Sequence, residues 1–169
     1  MNITSVISSL QNGGWYWGKV SYDTAIDKLL DSKNGTFLLR DSSDDHHLFT
    51  FAIKCHGDVI NLRVHFSRSR FSLDSIDYSY APSPTFESVC DLAEYYMCHN
   101  KTFYIHIPDS DAQPLAVVMK HPYLRHVHSL KHICRKIVHR HLRKIEDLDK
   151  LPIPQTLKQF LRLYKYCYA

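Results

Sequence analysis

The chain has 169 residues, and no apolar run in it approaches the ~18 residues of a membrane span. No signal-peptide hydrophobic segment precedes Trp15, so a soluble, cytoplasmic chain without membrane insertion is the expectation. Its five cysteines (Cys55, Cys90, Cys98, Cys134 and Cys167) are odd in number and form no Cys-x-x-Cys pair. That argues against a disulfide framework and for free thiols in a reducing compartment. None sits in a Cys-x5-Arg loop over a phosphate cradle, and no constellation of nucleophile, base and orienting group is visible, so the chain is not expected to be an enzyme. His126, His128, His132, Cys134, His139 and His141 crowd together, but their spacing matches no usual ligand pattern; neither metal nor cofactor is expected. The net charge of +4 favours acidic or phosphorylated partners without indicating nucleic acid.

What is present is an ordinary globular composition, 44% hydrophobic and 22% charged, long enough for one domain and a small annex. The most informative stretch is Gly35-Thr36-Phe37-Leu38-Leu39-Arg40-Asp41-Ser42-Ser43. Phe37, Leu38 and Leu39 are apolar on both faces, as in a central strand. Alternation sends Leu38, Arg40 and Ser42 to one side and Asp41 to the other. A guanidinium rooted in a core strand must be paired, because an unpaired buried charge is very costly. Two partners fit. One is a carboxylate from another segment, the commoner use of a strand arginine. The other is an anion held jointly by the guanidinium, the Ser42 and Ser43 hydroxyls and the amides of the following turn.

The surrounding pattern reads as helix, antiparallel strands, helix: an α+β domain with a helix on each face of a small sheet. Val6, Ile7 and Leu10 give the segment before Gly13-Gly14 one apolar helical face, either a short docked helix or a frayed tail. Ser21 caps a helix with Asp23 in its first turn and Ala25, Ile26, Leu29 and Leu30 as its stripe. Lys33-Asn34-Gly35 turns the chain into the Arg40 strand. Further strands are expected over Leu48–Lys54 and Val59–Phe66, with a short one at Arg70–Leu73. In the second of these Ile60, Leu62, Val64 and Phe66 oppose Asn61, Arg63 and His65. Thr85 then caps a helix with the stripe Phe86, Val89, Cys90, Ala93 and Tyr96. Met97–Pro114 reads as an irregular loop with a strand near Thr102–Ile107, and Leu115–Met119 as a closing strand.

After Leu124 the character changes. From Ser129 a helix carries Leu130, Ile133, Cys134, Ile137, Val138 and His141 on one face and Lys131, Arg135, Lys136, His139 and Arg140 on the other. Leu148–Pro154 reads as an extended stop, and Pro154 opens a last helix with Leu157, Phe160, Leu161 and Tyr164 as its stripe. Residues 127–169 are too few to close a core unaided, so these stripes need the first domain or a partner to cover them. The basic face is either a solvated surface or a target-type helix for another protein or a membrane.

Trp15-Tyr16-Trp17-Gly18, the helix and the Arg40 strand, in that order, resemble the Src homology 2 domain. Ser129-Leu130 with Cys134 and Val138 resembles the elongin-binding box of the suppressor of cytokine signalling family. Leu148, Leu151-Pro152-Ile153-Pro154, Leu157 and Phe160-Leu161 resemble that family's cullin-5 box. The whole chain thus resembles this family, nearest in pattern to the short members that include the cytokine-inducible one. The resemblance implies an extension over 1–14, a Src homology 2 domain over 15–124 and an all-helical SOCS box over 127–169, with the elongin box near 129–138 and the cullin box near 148–161. It implies phosphotyrosine binding by Arg40, Ser42, Ser43, Arg63 and His65, elongin binding by Leu130, Ile133, Cys134 and Val138, and cullin binding by Leu151, Pro152, Ile153 and Pro154. The implied partners are phosphotyrosine-bearing receptors or signalling proteins, elongins B and C, and a cullin-5 ligase scaffold. The chain would then be a substrate adaptor restraining cytokine or growth-factor signalling; a blocker that competes for receptor sites without ubiquitination is the alternative. Tyr22 stands where Src-like domains often carry an arginine, which implies either weaker phosphate binding or heavier reliance on Arg63. The segment before Trp15 leaves little room for the kinase-inhibitory element of some members, and the loops 74–83 and 97–114 are expected to read the residues after the phosphotyrosine.

Overall fold

The computed structural model describes residues 3–73, 84–98, 101–105, 113–126, 129–142 and 144–162. The chain falls into two units, Met1–Arg125 and His126–Ala169. The first opens with helix α1 (Ile3–Gly13), which docks rather than frays: Leu10 is wholly buried. Helix α2 (Tyr22–Leu29) starts where Ser21, in extended backbone, accepts the Thr24 N–H on its Oγ at 3.2 Å. Ala25 and Leu29 are buried, but Leu30 is 49% exposed, contrary to the expected stripe. It is the C-cap residue, and the helix ends before another turn can face the sheet.

Gly35 follows at φ +86°, with room for no side chain: a Cβ would stand 3.3 Å from the Lys120 Cβ. Strands β1 (Thr36–Asp41), β2 (Phe49–Cys55), β3 (Asp58–Ser67) and β4 (Arg70–Leu73) then form an antiparallel meander. The β2–β3 hairpin closes on His56-Gly57, both at positive φ, as a tight twisted turn requires. Helix α3 (Val89–Cys98) packs against α1. It starts later than expected, and Ser88, not Thr85, caps it, accepting the Asp91 N–H at 3.0 Å. Phe86 exchanges two 2.8 Å backbone hydrogen bonds with Phe71, which keeps this segment extended. Thr85 instead accepts from Arg70 Nε at 2.7 Å.

Strands β5 (Thr102–Ile105) and β6 (Leu115–Val118) pair with each other in a separate two-stranded sheet. Residues 106 and 107 of the expected strand lie outside the described residues, as do 74–83, 99–100 and 106–112 of the two expected peptide-reading loops. A two-residue strand, β7 (His121–Pro122), completes the main sheet parallel to β1, giving the order β4-β3-β2-β1-β7. It is too short to leave a pattern in the sequence. Leu38 and Ala52 pack under α2 with Ala25 and Leu29. On the opposite face Trp15 lies against Phe37 and Phe51, with ring centroids 5.9 and 6.0 Å away.

In the second unit Ser129 caps helix α4 (Leu130–His141), its Oγ accepting the His132 N–H at 3.3 Å. A 3-10 turn, Ile145–Lys150, follows, then helix α5 (Gln155–Arg162), which begins just after Pro154. Leu148 was expected in extended chain; it lies in the 3-10 turn and is wholly buried. Cys134 and Arg140 stand six apart, but along α4 rather than in a phosphate-cradling loop.

The faces of α4 are the reverse of a simple amphipathic reading. The apolar face is outward: Leu130 is 76% exposed and Ile137 49%. The basic face turns toward α5. Lys131 Nζ lies 4.4 Å and Arg135 Cζ 3.9 Å from the Phe160 ring centroid. Arg135 donates to the Phe160 carbonyl, and buried His139 donates from Nε2 to the Leu161 carbonyl at 3.0 Å. The reason lies at the end of α5. Carbonyls in a last helical turn lack intrahelical partners and carry the negative end of the dipole, so cationic donors suit them where leucine would not. The basic face is therefore neither merely solvated nor laid out as a target helix.

Candidate functional site

The site is built on β1 and borrows from β3 and the β1–β2 loop. Register aligns Arg40 with Thr50 and Thr50 with Arg63, so these three side chains share the α2 face. Asp41 points away and accepts the Tyr16 hydroxyl at 2.5 Å, leaving the Arg40 side free of it.

Arg40 is only 4% exposed. Its Nη1 donates to Ser43 Oγ and to the Asp41 carbonyl, and its Nη2 to Asn61 Oδ1, each at 3.1 Å. Its Nε has no hydrogen-bond partner among the described residues. Among those residues no carboxylate lies within ion-pair distance of Arg40, so the carboxylate alternative finds no support there. Burial pulls its pKa below the usual arginine range, and only Tyr22 opposes this. A buried cation held by neutral acceptors, with a donor to spare, is half of an ion pair. An anion would complete it, and the planar fork suits an oxyanion best.

The loop between β1 and β2 is shaped by its own side chains. Ser42 Oγ accepts the Asp44 N–H at 3.1 Å, so Ser42 folds the loop while Ser43 touches Arg40. Asp44 Oδ1 accepts the His46 N–H at 2.9 Å, and its Oδ2 lies 3.3 Å from Arg63 Nε and 3.5 Å from His47 Nδ1. The His46 amide first, then Arg63 and His47, hold the Asp44 carboxyl below its usual range. His65 is exposed, its ring 6.4 Å from that of His47. Arg40, Ser43, Arg63 and His65 therefore gather around one loop, and Tyr22, at the start of α2, is 49% exposed.

Sequence reasoning passed over Asn61, Thr50 and Asp44. Asn61 was visible on the polar face of β3, but its bond to Arg40 depends on a diagonal neighbour across three strands. Thr50 is polar yet buried between two arginines in register. Nothing in the sequence marked Asp44 as Arg63's partner.

The second unit offers a surface, not a pocket. Leu130, Ile133 and Cys134 are exposed along α4, and Val138 is half-buried. In the stretch entering α5, Pro152 and Pro154 are exposed and Leu151 and Ile153 half-buried. Among the described residues no group of His, Cys, Asp or Glu is placed to hold a metal ion, and no helix is long and apolar enough to cross a membrane.

Residues 15–96 match the SH2 domain family, and residues 126–162 match the SOCS box. The chain is 34% identical over 177 residues to Suppressor of cytokine signaling 3 from Gallus gallus, covering 96% of this chain and 82% of that protein. With Suppressor of cytokine signaling 2 from Homo sapiens it shares 32% over 166 residues, covering 97% of this chain and 81% of that one. Suppressor of cytokine signaling 6 from Homo sapiens is 29% identical over 173 residues, 98% of this chain but 31% of that protein.

Proposed function

The chain belongs to the suppressor of cytokine signalling family, and from that premise we propose that it is a phosphotyrosine-reading adaptor. Its first unit binds phosphotyrosine on activated receptors or their signalling proteins. Its second recruits elongins B and C and a cullin-5 ubiquitin ligase, so that the captured protein is ubiquitinated and signalling falls. The adaptor is cytoplasmic and catalyses nothing itself. One observation carries the reading: Arg40, buried and without a carboxylate among the described residues, waits for an anion. Ser43 and Arg63 supply further donors to the phosphate, and His65 flanks it. Ser42 acts mainly by folding the loop.

The outward apolar face of α4 supports the second half. Leu130 and Cys134, four apart, are neighbours on that face and available to an elongin C pocket. Leu151-Pro152-Ile153-Pro154 is offered to the cullin in the same way. A chain that merely blocked receptor sites would have no use for a leucine left this exposed, which favours the adaptor over the competitor.

The deciding experiment is affinity capture from cell lysate with and without phosphatase treatment. Elongins should be retained under both conditions, and receptor-derived phosphoproteins only without phosphatase. Failure to capture elongins would leave the simple blocker; phosphatase-insensitive capture of the same receptors would remove the phosphotyrosine site.

A further inference from the structure

The anion site holds an anion of its own. Asp44 lies on the loop that carries Ser43, the next residue after the one whose hydroxyl touches Arg40. Its carboxylate faces Arg63 Nε at 3.3 Å and His47 Nδ1 at 3.5 Å. Arg63 is two strands from Arg40 in register, about 10 Å at the backbone, and on the same face, so an oxyanion seated between them is within reach of both long side chains. Among the described residues Arg40 is met by neutral acceptors only, whereas Arg63 is already paired with a carboxylate. The two arginines are thus prepared differently for the same ligand.

We infer that Asp44 is a resident counter-ion from which Arg63 must be drawn when phosphate binds, so that Asp44 sets the affinity of this unit for dianionic ligands. The inference rests on the phosphotyrosine reading of the Arg40 site. Two effects act in the same direction. The carboxylate stabilises Arg63 in the free protein, and that contact is weakened when the guanidinium turns to phosphate. In addition, a carboxylate a few ångströms from a dianion repels it. Arg63 is half-exposed, so solvent screens both effects, and a modest change in affinity follows. Asp44 is thereby a determinant of affinity that touches the ligand's arginine, not the ligand.

Asp44→Asn isolates the charge, because its side-chain oxygen still accepts the His46 N–H that organises the loop. Titration of a phosphotyrosine peptide by calorimetry should give an affinity about threefold to fivefold tighter than wild type. Asp44→Ser, a second neutral variant, should move the same way. In an Arg63→Ala background the gain from Asp44→Asn should shrink, because no arginine is left to release. Thermal melting of each variant, checked beside wild type, separates affinity from folding. Unchanged or weakened binding in both neutral variants, with Arg40→Lys still abolishing binding, overturns the counter-ion role and leaves the phosphotyrosine site standing. Wild-type affinity in Arg40→Lys would instead remove the site itself, and the counter-ion role with it.

Discussion

The two units solve opposite packing problems. The first buries Trp15, Phe37, Phe51 and Phe71 completely, each contributing about 2–3 kcal/mol by removal from water. It also places Arg40 at the edge of that core, where its partners among the described residues are neutral; the other buried cation among them, Lys54, is spent on the Gly57 carbonyl of its own hairpin. Among the described residues of the second, Leu148 and Leu161 are the buried leucines, while α4 turns Lys131 and Arg135 toward α5 and leaves Leu130 and Ile137 exposed. The difference teaches how to tell a binding site from a packing defect. In the first unit the unsatisfied group is a charge, which suits a small anion. In the second the unsatisfied surface is apolar and extended, which suits another protein.

The sharpest break of this comparison is Arg40→Lys. Lysine keeps the charge but loses the planar fork, so phosphopeptide affinity should fall about a hundredfold or more, roughly 3 kcal/mol, as read by calorimetry. Elongin binding should be untouched. Wild-type affinity in this variant would mean that the buried guanidinium is structural.

The reciprocal change is Leu130→Asp together with Cys134→Lys. Both residues are exposed, so the unit should keep its own fold while the co-expressed complex with elongins B and C dissociates on size-exclusion chromatography. Phosphopeptide affinity should stay within about twofold of wild type, since the two sets of residues belong to separate units and share no partners among the described contacts. In the unsubstituted protein, elongins should raise the melting temperature, because they bind only the folded chain.

A smaller effect separates the units by pH. Burial, reinforced by Asp91, pushes the Glu94 carboxyl up to about 7. Its contribution to stability is complete below its unfolded value and is lost as pH rises through about 7. Glu94→Gln should therefore stabilise the first unit most at pH above that value and do little below the ordinary carboxylate range. His139 has the opposite sign. Burial first, and Arg135 after it, pull its pKa down against the hydrogen bond to Leu161, so the folded unit resists a proton that the unfolded chain accepts. Stability of the second unit is complete above the ordinary histidine range and is lost as pH falls through His139's lowered value. His139→Gln should flatten that acid limb in thermal melts recorded across pH. Equal slopes with and without His139 would show that its burial carries no proton cost.

Much of this was legible in the chain. The alternation of β3, the capping serines Ser21 and Ser129, and the turns at Gly35 and Gly57 are local signals, and each element appears where those signals stand. Arg40 was legible as an anomaly, since a charge inside an apolar strand demands a partner. What local pattern could not supply was the identity of neighbours distant in sequence. Thr85 looked like a cap, but Phe86 was claimed by Phe71, fifteen residues earlier, and the cap passed to Ser88. The basic stripe of α4 looked like a solvent face because periodicity separates polar from apolar without saying which side is inside.

The sequence by itself therefore determined most of the elements, the two-part organisation and the need for a partner at Arg40, because caps, turns and periodicity act over a few residues. Tertiary structure alone decided that Asn61 reaches Arg40 where no carboxylate among the described residues does, that Asp44 occupies Arg63, and that the cations of α4 face α5. Those are pairings across strands and between helices, fixed by register and by the unsatisfied carbonyls at a helix end, and no window along the chain contains both partners.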